Sequence, residues 1–266
     1  MCKDKHNTLL WEIKGDDIKS PSYIFGTMHV QDERAFNKIA FIEDCILKSE
    51  AFAAEFDLDI QNPKAFESIA MFPEGEKLSN YLTPKIYEKL AKLFYKETGM
   101  KLSQFEHHKP VMIINLLSSA QFKEDNFVSL DQHLYNFAKN GGKTMLGIES
   151  FESQLEVMRK MSLREQIKSL KDMATHFERF RRSIKKTAAL YLEADLMKIL
   201  KKVKQTAGGM RSMLLYDRNI IMAERIIKLS ADQSLFTAIG AGHLAGKKGV
   251  LRLLKKAGLK VVPINY

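Results

Sequence analysis

The chain opens on a period of two. Leu9, Trp11 and Ile13 alternate with Leu10, Glu12 and Lys14, the spacing of a strand whose successive side chains face opposite ways. Gly15-Asp16-Asp17 marks a turn and Ser22 to Thr27 reads as a second strand, so the two predict a hairpin. The period then lengthens: Phe36, Ile39, Ile42 and Ile46 step by 3, 3 and 4, as one face of a helix does. Ala51 to Phe56 is a third strand, short and mostly apolar, the pattern of a buried one.

Helical signals dominate the middle. Thr83-Pro84 pairs an N-cap with the residue favoured at the first helical position, Ile86, Leu90, Leu93 and Phe94 turn inward, and Gly99 is a stop. Ser129 begins a helix carrying Leu130, Leu134 and Phe137, closed by Asn140-Gly141-Gly142. Lys143 to Ile148 reads as a strand. Ser162 and Glu165 have capping-box spacing and open a charged helical region reaching about Lys204. Gly208-Gly209 interrupts it, and Met210 to Leu229 resumes as helix. Leu235 to Gly240 is strand-like, Gly249 to Ala257 helical, and Lys260 to Ile264 a last strand. With strands at both ends and helices between, the expected class is α/β (α+β): one central mixed sheet whose chain ends pair, carrying a large helical insertion. No repeat or Pro/Gly-rich linker divides the chain. The expectation is one domain over 9–266, helical from about 60 to 230, after a polar tether at 1–8.

At 266 residues and 45% apolar the chain can bury a core without disulfides or a structural metal, so a metal would serve chemistry. The formal net charge of +10 raises nucleic acid, anionic lipid and acidic substrates as partners. Yet Lys85, Lys89, Lys92 and Lys96 fall on one polar helix face, and the run holding Arg181, Arg182, Lys185 and Lys186 accompanies no nucleic-acid motif. Solvated helix faces are expected, and no nucleic-acid partner. Two cysteines make neither a disulfide framework nor a thiolate zinc site. Cys45, among Ile42, Ile46 and Leu47, reads as a small buried residue. Cys2, directly after Met1 and before the polar stretch Lys3 to Thr8, looks like the mature end of a bacterial lipoprotein with a lipid anchor, exported to the periplasmic or membrane surface; an exposed residue of a cytoplasmic protein is the alternative. No apolar run of about 18 residues offers a membrane span.

The candidate chemistry sits at strand ends. Gly26-Thr27-Met28-His29 and Gly240-Ala241-Gly242-His243 are two Gly-x-x-His motifs, each closing a strand, where sites of α/β sheets gather. Glu55 is the one carboxylate of an apolar strand and must be paired, metal-bound or at an exposed end. Glu149 holds a similar place after the strand Lys143 to Ile148. Asp131 and His133 lie in a first helical turn, where Asp131 suits the helix dipole. Imidazoles with carboxylates make a mixed N/O set suited to Zn²⁺, Mn²⁺ or Co²⁺. The His-Glu-x-x-His helix, the Gly-x-Ser-x-Gly elbow, the P-loop and the dinucleotide glycine fingerprint are all missing from the sequence.

These residues carry a resemblance. Tyr23-Ile24-Phe25-Gly26-Thr27-Met28-His29-Val30 resembles the opening signature of TraB/PrgY/GumN proteins. Ser129-Leu130-Asp131-Gln132-His133-Leu134 with Leu146-Gly147-Ile148-Glu149-Ser150 is similar to the central block, and Arg218-Asn219 with Met222-Ala223 to the helical element. Gly240-Ala241-Gly242-His243-Leu244, followed by Gly246 and Gly249-Val250, resembles the C-terminal signature. The resemblance implies a fold akin to TIKI, erythromycin esterase and ChaN-like proteins, with His29, Glu55 and His243 in the family's two histidine positions and its acidic position. It implies a metal-dependent peptidase with Mn²⁺ or Co²⁺; with Zn²⁺ also suited to the donors, the expected ligands are His29, Glu55 and His243, and Glu149 is a further ligand or the general base. In that reading Glu55 and Glu149 are the catalytic carboxylates, with Glu149 as ligand or general base. Arg218 would face a substrate carboxylate or the oxyanion. A metal-free esterase-like hydrolase, and a non-catalytic binder of peptide or haem, are the alternatives. The partner expected is a peptide or protein substrate.

Overall fold

The computed structural model describes residues 7–19, 21–28, 33–56, 69–122, 128–207 and 210–266. The chain forms two compact units. One comprises Met1–Ile60, Phe127–Phe151 and Thr187–Tyr266, the other Gln61–Asn126 and Glu152–Lys186.

The first unit holds the sheet. Its strands are β1 (Leu10–Lys14), β2 (Ser22–Thr27), β3 (Ala51–Phe56), β4 (Thr144–Glu149), β5 (Leu235–Gly240) and β6 (Lys260–Ile264), in the order β4-β3-β5-β2-β1-β6. The expected hairpin is present, with Leu10 opposite Phe25 and Ile13 opposite Ser22. The chain ends pair as expected, β1 against β6 from Leu10–Ile264 to Lys14–Lys260. β2, β5, β3 and β4 are mutually parallel. The class is thus an α/β fold on a six-stranded mixed sheet. Leu10 is fully buried although the alternation assigns it to the outer set with Glu12 and Lys14. The reason is that both faces are covered, so β1 and the parallel strands bury side chains of either parity.

Helices α1 (Ile39–Leu47) and α4 (Leu130–Asn140) pack on each other, and Tyr135 of α4 meets Phe52 of β3 edge to face. Phe36, expected to begin the first of these helices, lies in a separate 3-10 turn, Glu33–Phe36, and Lys38 at φ 64 starts α1 anew. Helices α9 (Asp217–Asp232) and α10 (Val250–Lys256) also pack together, α9 along β4 and β5. Phe52 and Glu55 have opposite parity on β3, and Glu55 reaches α9, so α4 and α9 cover opposite faces. Helix α8 (Leu196–Ala207) packs on the turn Ala241–His243.

The second unit is helical, with its own core of Phe72, Leu78, Leu90, Phe94, Ile113, Leu117 and Leu170. It contains α2 (Pro84–Thr98), α3 (Pro110–Ser119), most of α5 (Phe151–Lys160), α6 (Leu163–Thr175) and the first turns of α7 (Phe177–Leu192). Thr83 and Ser162 accept hydrogen bonds from Ile86 N–H and Glu165 N–H, and Gly99 closes α2 at φ 75, all as the sequence implies. The lysines Lys85, Lys89, Lys92 and Lys96 are exposed along α2. Arg181, from the basic run, is partly buried: its Nη2 donates to both oxygens of Glu97 at 2.8 and 2.9 Å, and its Nε to Gln121 at 3.0 Å. Among the described residues no helix is long and apolar enough to cross a membrane.

Candidate active site

Because β2, β5, β3 and β4 are parallel, their carboxyl ends lie along one edge of the sheet. The register aligns Thr27 with Gly240, Ala54 with Ala238, and Phe56 with Glu149. The ends of three elements therefore deliver Glu55, Glu149 and the Gly240–His243 turn to one place. Helix α9 runs back from this edge and starts there, which brings Arg218 into its first turn.

Arg218 joins the two carboxylates. Its Nε donates to both oxygens of Glu149 at 3.0 Å, and its Nη2 donates to Glu149 Oε2 at 2.5 Å and to Glu55 Oε1. The Glu149 side chain is 1% exposed, Arg218 13% and Glu55 23%. Two carboxylates this close would repel each other; one guanidinium between them removes that cost, and its fork geometry suits the task. The other Glu55 oxygen accepts the Gly240 N–H at 3.2 Å. Burial works to raise the Glu55 carboxyl, but His243, Arg218 and the Gly240 amide outweigh it and hold it at about 2. At neutral pH the share that persists is that of Arg218 and the amide, because His243 is itself uncharged there. Burial opposes the charge on Arg218 too, yet Glu149 and Glu55 drive its pKa above the ordinary value.

His243 is buried, and burial lowers its pKa from 6.5 to about 4, Glu55 pulling upward and Arg218 downward. Its tautomer follows from a neighbour. Asn219 Nδ2 donates to the Lys248 carbonyl at 2.7 Å, so Asn219 Oδ1 is the acceptor at 2.6 Å from His243 Nδ1. The ring proton therefore sits on Nδ1, and the Nε2 lone pair is left toward Glu55 Oε1, 3.9 Å away. Consecutive residues of α9 thus do separate work: Arg218 holds the carboxylates and Asn219 holds the imidazole. A π-helical turn, Ser212–Tyr216, leads directly into them.

The two Gly-x-x-His motifs touch through the first glycine. A side chain at Gly26 would lie 2.7 Å from Leu244 Cδ1 and 3.2 Å from Ala241 Cα, so β2 and the second motif approach as only glycine allows. Tyr191, fully buried, donates its hydroxyl to Gly26 O at 2.8 Å and fixes the same strand end. Sequence reasoning missed Tyr191 and the Gly240 amide, and named Asn219 without a task. The adjacency of Arg218 and Asn219 at a helix start was the available signal.

His29 and Cys2 lie outside the described residues. Cys45 is buried as expected, and burial pushes its thiol up to about 11. His133 pairs with Glu43 at 2.8 Å and meets Phe36 edge to face, between α4 and α1. Among the described residues no three His, Cys, Asp or Glu side chains form a group able to hold a metal. A cavity of about 1010 Å³ opens beside β2, lined by Phe25, Ile39, Ile42, Tyr191 and Tyr266. None of Glu55, Glu149, Arg218 or His243 lines it, so the chemistry and this cavity are distinct features.

Fold and site define an α/β protein with a polar centre built at the carboxyl ends of parallel strands. The chain belongs to the TraB/PrgY/gumN family, whose model matches residues 9–263. It is similar to the metalloprotease TIKI2 of Danio rerio (24% identical, covering 96% of this chain and 60% of that protein). The metalloproteases TIKI1 of Xenopus tropicalis and of Homo sapiens are 26% and 25% identical, each match covering 96% of this chain and 61% of the relative. The chain thus spans about 60% of the length of these curated relatives. No solved structure matches it significantly.

Proposed function

We propose that the protein is a metal-dependent hydrolase of peptide or other amide bonds. The observation that carries this reading is His243: a neutral imidazole with its proton tied down on Nδ1 presents Nε2 to an ionised carboxylate. Such a pair of donors suits a borderline dication such as Mn²⁺, Co²⁺ or Zn²⁺. His243 and Glu55 would hold the ion, with His29 as the third ligand that the first motif implies. When bound, it supplies polarisation of the scissile carbonyl and acidification of water.

The chain's own residues do the rest. Asn219 orients His243, as partners of ligating histidines do. Arg218 keeps Glu55 ionised and presents a positive charge where an oxyanion would develop. Glu149, with both oxygens on Arg218, serves in this reading as that arginine's counter-ion rather than as ligand or base. The relatives named metalloproteases support the same reading for the centre.

The test is a peptide-library cleavage assay with added Mn²⁺ or Co²⁺, run with metal analysis on wild type and four variants. His243→Ala, His29→Ala and Glu55→Gln are expected to lose metal and at least a hundredfold of cleavage. Glu149→Gln is expected to keep metal and cleave more slowly. Full cleavage by His243→Ala would overturn the reading. Cleavage that survives chelation would transfer the mechanism to a second reading, in which His243 Nε2 is a general base without metal. That reading draws on the uncharged imidazole held with its proton on Nδ1.

A further inference from the structure

We propose that Lys204 and Lys248 form an anion subsite beside this centre, selecting peptides that carry a carboxylate close to the bond presented to it. Both ammonium groups converge on one ring: Lys204 Nζ lies 5.5 Å and Lys248 Nζ 4.6 Å from the centroid of Tyr216. The two charges are therefore within about a Debye length of each other, near 10 Å at 0.1 M salt, and they repel. Neither is ion-paired with a carboxylate among the described residues. By contrast Lys48, Lys92 and Lys198 in the same chain each pair with a nearby acid. A tyrosine face stabilises a cation without neutralising it, so the pair keeps its attraction for an anion.

Lys248 is exposed and Lys204 half-buried, but the backbones that carry them are packed against each other. Lys204 belongs to α8, and the Gly240–Gly249 loop that carries Lys248 is pressed against that helix. A side chain at Gly246, where φ is +92, would lie 2.6 Å from Leu200 Cδ2, and one at Gly242 would lie 3.0 Å from Val203 Cγ2. Leu200 and Val203 precede Lys204 by one turn and one residue, so the backbones bearing both lysines are locked together. Tyr216 closes the π-helical turn before α9, three residues before Asn219. Lys248 O accepts from the very Asn219 amide that orients His243. The backbone that carries Lys248 and the imidazole are thus joined by one residue, Asn219.

Charge decides the class of ligand. Two lysines recognise a carboxylate as point charges, with no fork to impose a planar geometry. The net charge of +10 gives an acidic peptide a favourable approach from a distance, and the subsite gives it a place. The proposal takes from the hydrolase reading only that a peptide enters; its test measures binding without cleavage, so either idea can fail alone.

The probe is a fluorescent octaglutamate peptide, with octaglutamine as its uncharged counterpart, followed by anisotropy at one fixed salt concentration on chelator-treated protein. Wild type is expected to bind octaglutamate at least tenfold more tightly than octaglutamine. Lys204→Gln with Lys248→Gln is expected to lose at least tenfold for octaglutamate. Lys256→Gln with Lys260→Gln removes the same charge from two exposed lysines at the other end of the sheet and is expected to cost less than twofold. Equal losses in the two double variants, or equal binding of the two peptides by wild type, would overturn the subsite. Lys204→Glu with Lys248→Glu adds a second reading of the same idea: it should turn the preference toward octalysine, and an unchanged preference counts against the proposal.

Discussion

His243 is a base that folding holds uncharged, and this ties stability to pH. Its pKa is 6.5 in the unfolded chain and about 4 in the folded one, so between these values the unfolded chain binds more protons. The contribution is complete above pH 6.5, falls as pH drops through that window, and is gone near 4. At about 1.4 kcal/mol for each pH unit crossed, the loss is on the order of 3 kcal/mol. Glu55 follows further down: its pKa is lowered from 4.5 to about 2, so its contribution is present above 4.5 and disappears toward 2. Urea unfolding of metal-free protein from pH 8 to 4 should show the first decline in wild type. A His243→Gln variant should be flat between 6.5 and 4.5, and an unchanged slope would show that another group titrates there. The histidine and both carboxylates were legible in the sequence as polar residues stranded at apolar strand ends. Their pairing was not, because Arg218 is separated from Glu149 by 69 positions and from Glu55 by 163.

At the scale of elements, Arg218 is a fastener. It leaves the first turn of α9 and holds the last residue of β4 and the penultimate residue of β3. Replacing it by Met leaves two carboxylates adjacent without the guanidinium that offsets their charge, which should cost about 3–5 kcal/mol. Adding Glu149→Gln removes one of those charges and should return part of the loss. Chemical denaturation of both variants checks this, and a double variant no more stable than the single would show that the carboxylates do not repel. Element boundaries were legible wherever local chemistry sets them. Thr83-Pro84, Ser129 and Ser162 act as caps through their own side chains. The region read as one helical stretch to Lys204 divides into α6, α7 and α8, with His176 ending the first and Ala194 at φ 51 preceding the last. Neither residue is a conventional breaker. Packing sets those breaks, and one-dimensional periodicity does not report packing.

Across the whole molecule, both chain ends are committed to the same sheet. β6 closes the edge beyond β1 through five residue pairs, Val261 is buried there, and Thr8 Oγ1 donates to Ile264 O at 2.5 Å. This much of the topology was readable, since strand patterns at both ends with helices between have few other ways to share a core. The order β4-β3-β5-β2 was not, because nothing local says that β5 enters between two strands made two hundred residues earlier. Dependence on the last strand should be large. Removing residues 259–266 strips β1 of its outer neighbour, exposes Leu10 and Ile13 along an unpaired edge, and forfeits the Val261 contacts. Burial of a valine-sized side chain contributes roughly 1.5–3 kcal/mol and each ladder hydrogen bond about 1 kcal/mol, so the truncated chain should lose at least about 4 kcal/mol. Removing residues 1–6, Cys2 among them, should change stability by less than about 0.5 kcal/mol, because the sequence reads there as a polar tether. Guanidinium unfolding of the two truncations makes the comparison. A chain lacking 259–266 that unfolds cooperatively within 1 kcal/mol of the full one (about a fivefold change in equilibrium) would mean that the sheet does not need its ends joined.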